Sequence, residues 1–205
     1  MQRLPEEIGE LTQLKVLDLS KCSTLKIIPP NNISRLTQLE ELYMPDEFCK
    51  WQGVDGERSN GSVGELEHLS QLTALQIYIP DAKLVPKGLP FQKLQRYTIV
   101  IGHRGWGIGY DTSRKLVLRY DDANISVEDG IIKQLKEIEE LQLIGNQGVK
   151  NVLYELNRDG FPKLKHFDVI DNPENLGSTK VCKIEEHLLF LHCQTLFTTS
   201  TNSSD

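Results

Sequence analysis

The chain has 205 residues, and its 23 lysines and arginines against 29 aspartates and glutamates give a formal net charge of −6. This length suits one compact domain, or a stack of small repeated units that share one core. The acidic balance and the lack of a basic run argue against a nucleic-acid partner, and the lack of an apolar run of about 18 residues argues against a membrane partner.

The N-terminus and the cysteines indicate the compartment. The first residues, MQRLPEE, contain no apolar segment of a secretory signal. Cys22, Cys49, Cys182 and Cys193 are too scattered for the disulfide framework of a small secreted domain. We therefore expect reduced thiols and a cytoplasmic protein.

The first predicted element lies in residues 11–22, where aliphatic side chains occupy positions 11, 14, 17 and 19 and Cys22 follows. This spacing cannot stay on one face of a long helix, but it fits a turn that leads into a short strand over residues 16–20. The spacing returns with its third position at Leu17, Leu42, Leu75, Tyr97, Leu116, Leu141 and Phe167, and the fifth copy is degenerate. Most of the steps, of 25, 33, 22, 19, 25 and 26 residues, lie in or near the range of about 20 to 29 residues of a leucine-rich repeat.

A second pattern follows the same register. The slot five residues after each of these positions holds Cys22, Asn146 and Asn172 in three copies, as in the Asn/Cys position of the repeat. A buried polar side chain there bonds the backbone where the strand turns away. The other four copies hold Glu47, Pro80, Gly102 and Asp121, so we expect irregular geometry in the second to fifth repeats.

The sequence therefore predicts an α/β leucine-rich-repeat solenoid of about seven repeats over residues 1–176, with a curved parallel β-sheet on its concave face. Loops and short helical turns should form the convex face, since Pro29 and Pro30 prevent a long helix there.

Two segments depart from the repeat. Residues 45–64, rich in Gly, Asp, Glu and Ser, are predicted to be an exposed insertion. Within it, Phe48 and Trp51 are expected to pack against the repeats, with a partner contact as the alternative. Residues 177–197 are predicted to cap the open end through a short helix that carries Ile184, Leu188 and Leu191, and residues 198–205 to be disordered.

Residues 4–22, LPEEIGELTQLKVLDLSKC, resemble the leucine-rich-repeat region of plant intracellular nucleotide-binding leucine-rich-repeat (NLR) disease-resistance proteins. Repeats of that family favour an L-P-x-x-I-x-x-L opening and a cysteine in the polar slot. Residues 148–167, GVKNVLYELNRDGFPKLKHF, and residues 78–82, YIPDA, are similar to the coiled-coil class of the family. The resemblance covers about residues 1–176 and implies a recognition module of an innate immune receptor.

Members of that family carry a signalling domain and a nucleotide-binding module before the repeats, whereas this sequence contains no G-x-x-x-x-G-K-[ST] loop. The chain therefore resembles a fragment without the nucleotide-binding domain, and the family's ATP/ADP switch corresponds to no residue here. The resemblance implies binding to a pathogen effector, a guarded host protein or the receptor's own nucleotide-binding domain. An extracellular or stand-alone repeat scaffold is the alternative, which the Asn-x-Ser sequons at Asn32, Asn60, Asn124 and Asn202 keep open.

Three other motifs point away from catalysis. The glycine-rich residues 102–109 lack the following helix that a phosphate cradle needs, and we expect a loop there. Cys182, His187, His192 and Cys193 match no structural zinc spacing. No nucleophile, base and orienting group come together in the sequence, so we expect no enzymatic activity, cofactor or metal site.

Strand alternation assigns a candidate surface. If positions 17 and 19 point into the core, positions 16, 18 and 20 point onto the concave face, and the same offsets apply to each copy. The candidate partner-binding residues on this face are Asp18, Ser20, Glu41, Tyr43, Gln76, Tyr78, Arg96, Thr98, Lys115, Arg119, Glu140, Gln142, His166 and Asp168. The row runs from acidic to basic with two tyrosines between. Because charge steers a protein partner and tyrosine anchors it, we predict a protein partner here, with a freely varying exposed face as the alternative.

Overall fold

The computed structural model describes residues 1–46, 48–52, 60–85, 89, 91–102, 113–119, 137–144, 162–170 and 180–182. Its strands are β1 (Val16–Asp18), β2 (Glu41–Tyr43), β3 (Ala74–Ile79), β4 (Arg96–Ile101), β5 (Arg114–Arg119), β6 (Glu140–Ile144), β7 (His166–Ile170) and β8 (Lys180–Cys182). Short 3-10 helices are η1 (Glu6–Glu10), η2 (Val63–His68), η3 (Ala82–Leu84) and η4 (Phe91–Lys93).

The strands form one sheet in chain order, each beside its neighbour in the sequence. Strands β1 to β7 are parallel, as the repeat spacing predicts. Parallel neighbours need a crossover connection, usually an α-helix. In the described parts of these connections only 3-10 helices and turns occur, which agrees with the predicted loops and short helical turns.

The strand register agrees with the sequence alignment at five of its six steps and corrects it at the other. Leu17, Leu42, Leu75 and Tyr97 lie opposite one another across β1 to β4. The sequence alignment places Leu116 opposite Tyr97, but Leu116 pairs with Ile99, and Arg114 takes the place opposite Tyr97. A shift of two residues keeps every side chain on its predicted side of the sheet, so the apolar pattern alone cannot detect it.

Alternating side chains of the strands build the core on one side of the sheet. Leucines from the connecting segments pack against them, and full burial of such a side chain contributes about 1.5 to 3 kcal/mol. The strand residues in this core include Leu17, Leu42, Leu75, Ile77, Ile99, Leu116, Leu118, Leu141, Leu143 and Phe167, and the connecting segments add Leu36, Leu39, Leu66 and Leu69. The predicted inward positions 17 and 19 are therefore confirmed as core, whereas Leu11, the first aliphatic residue of that copy, is 50 % exposed.

The two described ends of the predicted insertion are packed into the fold. Phe48 and Trp51 are buried, and their rings meet edge to face with centroids 5.0 Å apart. The Trp51 indole N–H donates to the carbonyl oxygen of Tyr78 at 2.9 Å. The expected packing of both aromatic residues is confirmed, and Asp46, Lys50 and Gln52 beside them are exposed. Residues 53–59 lie outside the described part of the chain, so the exposed insertion predicted for residues 45–64 stays a prediction.

Buried polar side chains tie the segment after β2 to the preceding one. The Asn60 carboxamide accepts from the Ile28 N–H at 2.8 Å and donates to the Lys26 carbonyl oxygen at 3.3 Å. The Glu65 carboxylate accepts from the backbone N–H groups of residues 31, 33 and 34 at 2.9 to 3.1 Å. These contacts satisfy backbone groups that the irregular connections leave without strand or helix partners.

At Cys22, the predicted polar position of the first repeat, the contacts differ from those predicted. The Cys22 side chain packs against the core, while its backbone groups close the turn through Leu19 and Leu25 at 2.8 and 2.9 Å. Cys22 and Cys49 are reduced, as predicted. The slots at Asn146 and Asn172 lie outside the described residues.

The described part of the predicted C-terminal cap, residues 177–197, is the strand β8. β8 pairs with β7 in the antiparallel sense, Val181 lying opposite Asp168. The predicted helical residues Ile184, Leu188 and Leu191 and the tail at 198–205 lie outside the described part. The helices that are described are too short, or not apolar enough, to cross a membrane.

Candidate partner-binding surface

The side chains on the side of the sheet opposite the core form what we call the front face. Parallel register aligns them in rows, with neighbouring strands about 4.8 Å apart. One row contains Asp18, Tyr43, Gln76 and Thr98, and continues through Lys115, Glu140 and His166. A second row contains Tyr78, Val100, Val117, Gln142 and Asp168. The fold thus brings most of the predicted binding residues together.

Most of the front face of β1 to β4 is accessible. Asp18 and Arg96 are exposed, whereas Ala74 and Tyr78 on β3 are buried. Among the predicted binding residues, the half-buried ones on this part are Ser20, Glu41, Tyr43, Gln76 and Thr98. We call this region the open half of the front face.

Glu41 organises the centre of the open half. One carboxylate oxygen accepts from the Tyr43 hydroxyl at 2.7 Å, and the other pairs with the Arg96 guanidinium at 2.8 Å. The hydrogen bond to Glu41 raises the pKa of the Tyr43 hydroxyl, with burial as the second cause, so the phenol stays protonated at neutral pH. This network fixes the orientation of the tyrosine ring.

Asp18 lies at the edge of the sheet, because β1 is the first strand in the order. Its Oδ1 accepts from the Ser20 hydroxyl at 2.6 Å and from the Ser20 N–H at 2.9 Å. Both bonds lower the pKa of the Asp18 carboxyl, and the bond from the Ser20 hydroxyl is the larger cause. The carboxyl is therefore fully ionised at neutral pH. The carboxylate also caps one N–H next to the open edge of β1.

The front face of β5 to β7 is buried, which corrects the expectation that the whole row faces solvent. Glu140 and Gln142 are 0 % exposed, and Asp168 is 1 % exposed. Tyr78, Lys115 and Arg119 are buried as well, and only His166 of this group is half-buried. Val117 and Ile144 form a second, small apolar cluster on the same side. The partner-binding role of these residues stays a prediction, and in this structure all of their side chains except that of His166 are buried.

The buried half contains a compact charged cluster. The Lys115 ammonium pairs with Glu140 at 2.8 Å. The Gln142 side-chain N–H₂ donates to Glu140 at 2.8 Å and to Asp168 Oδ2 at 3.2 Å. Asp168 Oδ1 has no hydrogen-bond partner among the described residues. Burial and then the negative charge of Glu140 raise the pKa of the Asp168 carboxyl.

Ion pairing removes the charge gradient that the sequence predicts. Arg96 on β4 pairs with Glu41 on β2, and Lys115 pairs with Glu140 on the neighbouring strand β6, while Arg119, the other cation of the fifth copy, is buried. Opposite charges attract across the row, so these pairs weaken the predicted gradient. On the open half, Asp18, Glu41 and Arg96 leave an excess of negative charge.

Replacement of Asp168 by asparagine is expected to raise the free energy of unfolding at pH 7 by roughly 1 kcal/mol, because it removes a buried negative charge that is repelled by Glu140. The folded pKa of Asp168 is raised, so the ionised group opposes folding above that pKa and ceases to do so as the pH falls. The stabilising effect should therefore shrink below the raised pKa and vanish near pH 3. Urea unfolding from pH 3 to 8 measures it.

Asp18→Asn is the matched control for this titration. The folded pKa of Asp18 is lowered, so its contribution is present above the ordinary pKa and is lost as the pH falls through the folded pKa. The two variants should depart from the wild-type pH profile in opposite directions. Equal departures in the same direction contradict the assignment of Asp168 to a destabilising buried site.

Asp46 is a residue of the open half that the sequence does not predict. The Gln76 side chain donates to Asp46 at 2.9 Å, which places that carboxylate beside the front face although it follows β2. Val16, which the strand offsets place on this face, is 48 % exposed as expected. The strand offsets contain the signal for Val16, whereas the position of Asp46 depends on how the chain leaves β2.

Other sequence motifs fall largely outside the described part. Residues 103–112 of the glycine-rich stretch and His187, His192 and Cys193 are not described. In the described ranges, no group of three or more His, Cys, Asp or Glu side chains is placed to hold a metal ion. The expected lack of catalysis and of cofactors stays a prediction.

Comparison with known proteins gives one relationship. The chain is 28 % identical over 171 residues to a disease resistance protein of Arabidopsis thaliana, a match that covers 80 % of this chain and 17 % of that protein. The chain is therefore distantly related to plant disease resistance proteins, and it spans about a sixth of the length of this relative. No protein-family model matches the chain. No solved structure matches it either.

Proposed function

We propose that the chain is a leucine-rich-repeat recognition module that acts in plant defence and binds a protein partner through its front face. The distant relationship to a plant disease resistance protein suggests the role in defence and is the observation that carries this proposal. The chain-order parallel sheet, with short 3-10 helices in its connections, supports a repeat solenoid. We further propose a cytoplasmic, non-enzymatic protein.

The open half of the front face is suited to protein recognition. It presents a tyrosine whose hydroxyl is already oriented by Glu41, beside charged and amide side chains. A pre-ordered aromatic residue loses little side-chain entropy on binding, and aromatic residues are enriched among binding hot spots. The partner class is a pathogen effector, a host protein or another domain of a longer receptor.

Proximity labelling in leaf tissue tests this function. The chain fused to a labelling enzyme is compared with the double variant Tyr43→Ala/Gln76→Ala and with Gln92→Ala, whose exposed side chain lies on η4 away from the sheet. We expect a set of proteins labelled by the wild type and by Gln92→Ala, and labelled at least fivefold less by the double variant. Identical labelling by all three proteins contradicts recognition through the front face.

The structure weakens the extracellular alternative. N-glycosylation attaches the glycan to the side-chain nitrogen of asparagine, which must be accessible. The Asn60 nitrogen donates to the Lys26 carbonyl and the Asn60 side chain is 0 % exposed. The Asn32 nitrogen donates to the Pro5 carbonyl at 2.9 Å and the residue is 3 % exposed. Two of the four sequons are therefore structural, and Asn124 and Asn202 lie outside the described residues.

When the chain is secreted through an added signal peptide, the folded product is expected to carry no glycan at Asn32 or Asn60. A glycan at either position displaces a buried hydrogen bond and the packing around it, at a cost of several kcal/mol. Peptide mapping of the monomeric, protease-resistant fraction measures the occupancy. Full occupancy at Asn60 in protein with an unchanged melting temperature contradicts the structural role of that side chain.

A further inference from the structure

Two carboxylates of the open half form no close ion pair among the described residues, although the Lys21 ammonium contributes a weaker attraction to Asp18. Glu41 is paired with Arg96, and Glu40, next to it in the chain, is paired with Lys15 at 2.8 Å. Asp18 and Asp46 instead accept hydrogen bonds from the neutral side chains of Ser20 and Gln76. Among the described residues neither aspartate forms an ion pair. Both are exposed, so they are accessible carboxylates that no ion pair among the described residues neutralises.

The two aspartates flank Tyr43. Asp18 lies opposite Tyr43 in the register, and Tyr43 lies opposite Gln76, whose side chain holds Asp46. Two strand spacings separate Asp18 from Gln76, so the carboxylates are on the order of 10 Å apart. One metal ion cannot contact both groups over that distance, because its ligands lie within about 2.6 Å of the ion. Two separate cationic groups on one polypeptide chain can contact both carboxylates.

The surroundings fit long cationic side chains. Lysine and arginine carry apolar stems that pack on apolar surface while the charged group stays in water. Val16, 48 % exposed, lies on the same strand as Asp18 and offers such a surface. The Tyr43 ring between the two aspartates offers a face for a guanidinium or ammonium group. Nucleic acid is disfavoured, since its phosphates are repelled by both carboxylates.

We propose that the open half binds an extended protein segment with two basic side chains, one contacting Asp18 and the other Asp46, with Tyr43 between them. This inference rests on the proposed function and specifies the chemistry of its partner. In an extended segment, side chains two residues apart share a face and are about 7 Å apart, and arginine side chains are long enough to span the remaining distance. The proposed partner segment therefore has the sequence pattern of a basic residue, any residue and a second basic residue.

The test uses a defined peptide, acetyl-Gly-Gly-Arg-Val-Arg-Gly-Gly-amide, titrated into the isotopically labelled full chain and followed by NMR. The matched peptide has glutamate in place of both arginines. We expect saturable shifts at the amides of Val16, Tyr43 and Gln76 with the arginine peptide only. Raising the salt from 50 to 500 mM should weaken binding severalfold, because exposed charges are screened.

Two double variants separate a local site from overall charge. Asp18→Asn/Asp46→Asn keeps the oxygens that accept from Ser20 and Gln76 but removes both charges. Glu7→Gln/Glu10→Gln removes two exposed charges on η1, and each pair changes the net charge from −6 to −4. We expect the aspartate pair to lose about tenfold in affinity and the glutamate pair less than twofold. Equal losses overturn the proposal, as does equal binding of the glutamate peptide.

The outcomes also distinguish this inference from the proposed function. If the arginine peptide fails to bind while labelling in leaves still depends on Tyr43 and Gln76, the front face recognises a protein of different chemistry and only the inference is overturned. If the peptide fails and labelling is independent of the front face, both are overturned. Melting temperatures of the variants within about 2 °C of the wild type confirm that each remains folded.

Discussion

Replacement of Glu65 by alanine is expected to lower the free energy of unfolding by about 4 kcal/mol, a large share of the 5 to 15 kcal/mol that is typical of a folded domain. The Glu65 carboxylate accepts from three backbone N–H groups of the preceding connecting segment and, at 3.3 Å, from the N–H of Ser62. Glu65 is 8 % exposed, so water cannot replace all of these bonds. Alanine leaves several backbone donors without partners in the interior.

Glu65→Gln should cost less, roughly 2 kcal/mol, because one oxygen remains while the new N–H₂ group faces backbone donors. Hydrogen exchange gives a local measurement: the amides of Ile33 and Ser34 should exchange at least tenfold faster in both variants. Glu67→Gln, on the exposed side of the same 3-10 helix, should change stability by less than about 0.5 kcal/mol. Slow exchange of Ile33 in Glu65→Ala contradicts the role of this carboxylate.

Replacement of Gly102 by alanine is expected to destabilise the sheet between β4 and β5 by roughly 3 to 5 kcal/mol. Gly102 has φ of +105°, a conformation that favours glycine. An added Cβ would lie 2.3 Å from the backbone carbonyl oxygen of Arg119 and 2.9 Å from its Cβ. Because the closest atom belongs to the backbone of β5, a change of side-chain rotamer cannot relieve the clash.

The effect of Gly102→Ala should be concentrated on contacts around that position. The Gly102 N–H donates to the Ile79 carbonyl at 2.9 Å, and its own carbonyl accepts from the buried Tyr78 hydroxyl at 2.8 Å. Thermal unfolding and hydrogen exchange at Gly102 and Tyr97 measure the loss. Gly64→Ala is the control, since its Cβ meets only the Ser62 hydroxyl, at 3.3 Å. A loss below 1 kcal/mol for Gly102→Ala would falsify the close approach of β4 and β5 at this point.

Gly102 also shows how a sequence slot can be correctly located and wrongly interpreted. The repeat alignment finds position 102 as a polar slot occupied by glycine and predicts irregular geometry around it. The structure gives a specific reason for glycine, namely the approach of the Arg119 backbone from the next strand. That neighbour is 17 residues away in the chain, and the same region contains the two-residue error in register.

The candidate surface could be predicted in part. The period of two along each strand determines which side chains lie on the front face, and the structure keeps Asp18, Tyr43 and Gln76 in one row as expected. Accessibility did not follow from the same pattern, because Glu140 and Asp168 occupy equivalent positions and are buried. Asp46 lies beside this surface because its carboxylate accepts a hydrogen bond from Gln76, which the strand pattern does not predict.

The sequence by itself determined the strands, their parallel order and the core leucines, because these depend on side-chain periods that repeat within a few residues. Tertiary structure decided which half of the front face is open, which charges are neutralised and which polar side chains hold the connections. The pairing of Arg96 with Glu41 and the bonds of Glu65 to residues 31 to 34 join positions far apart in the chain. Such contacts depend on distances in the folded protein, and no local spacing specifies them.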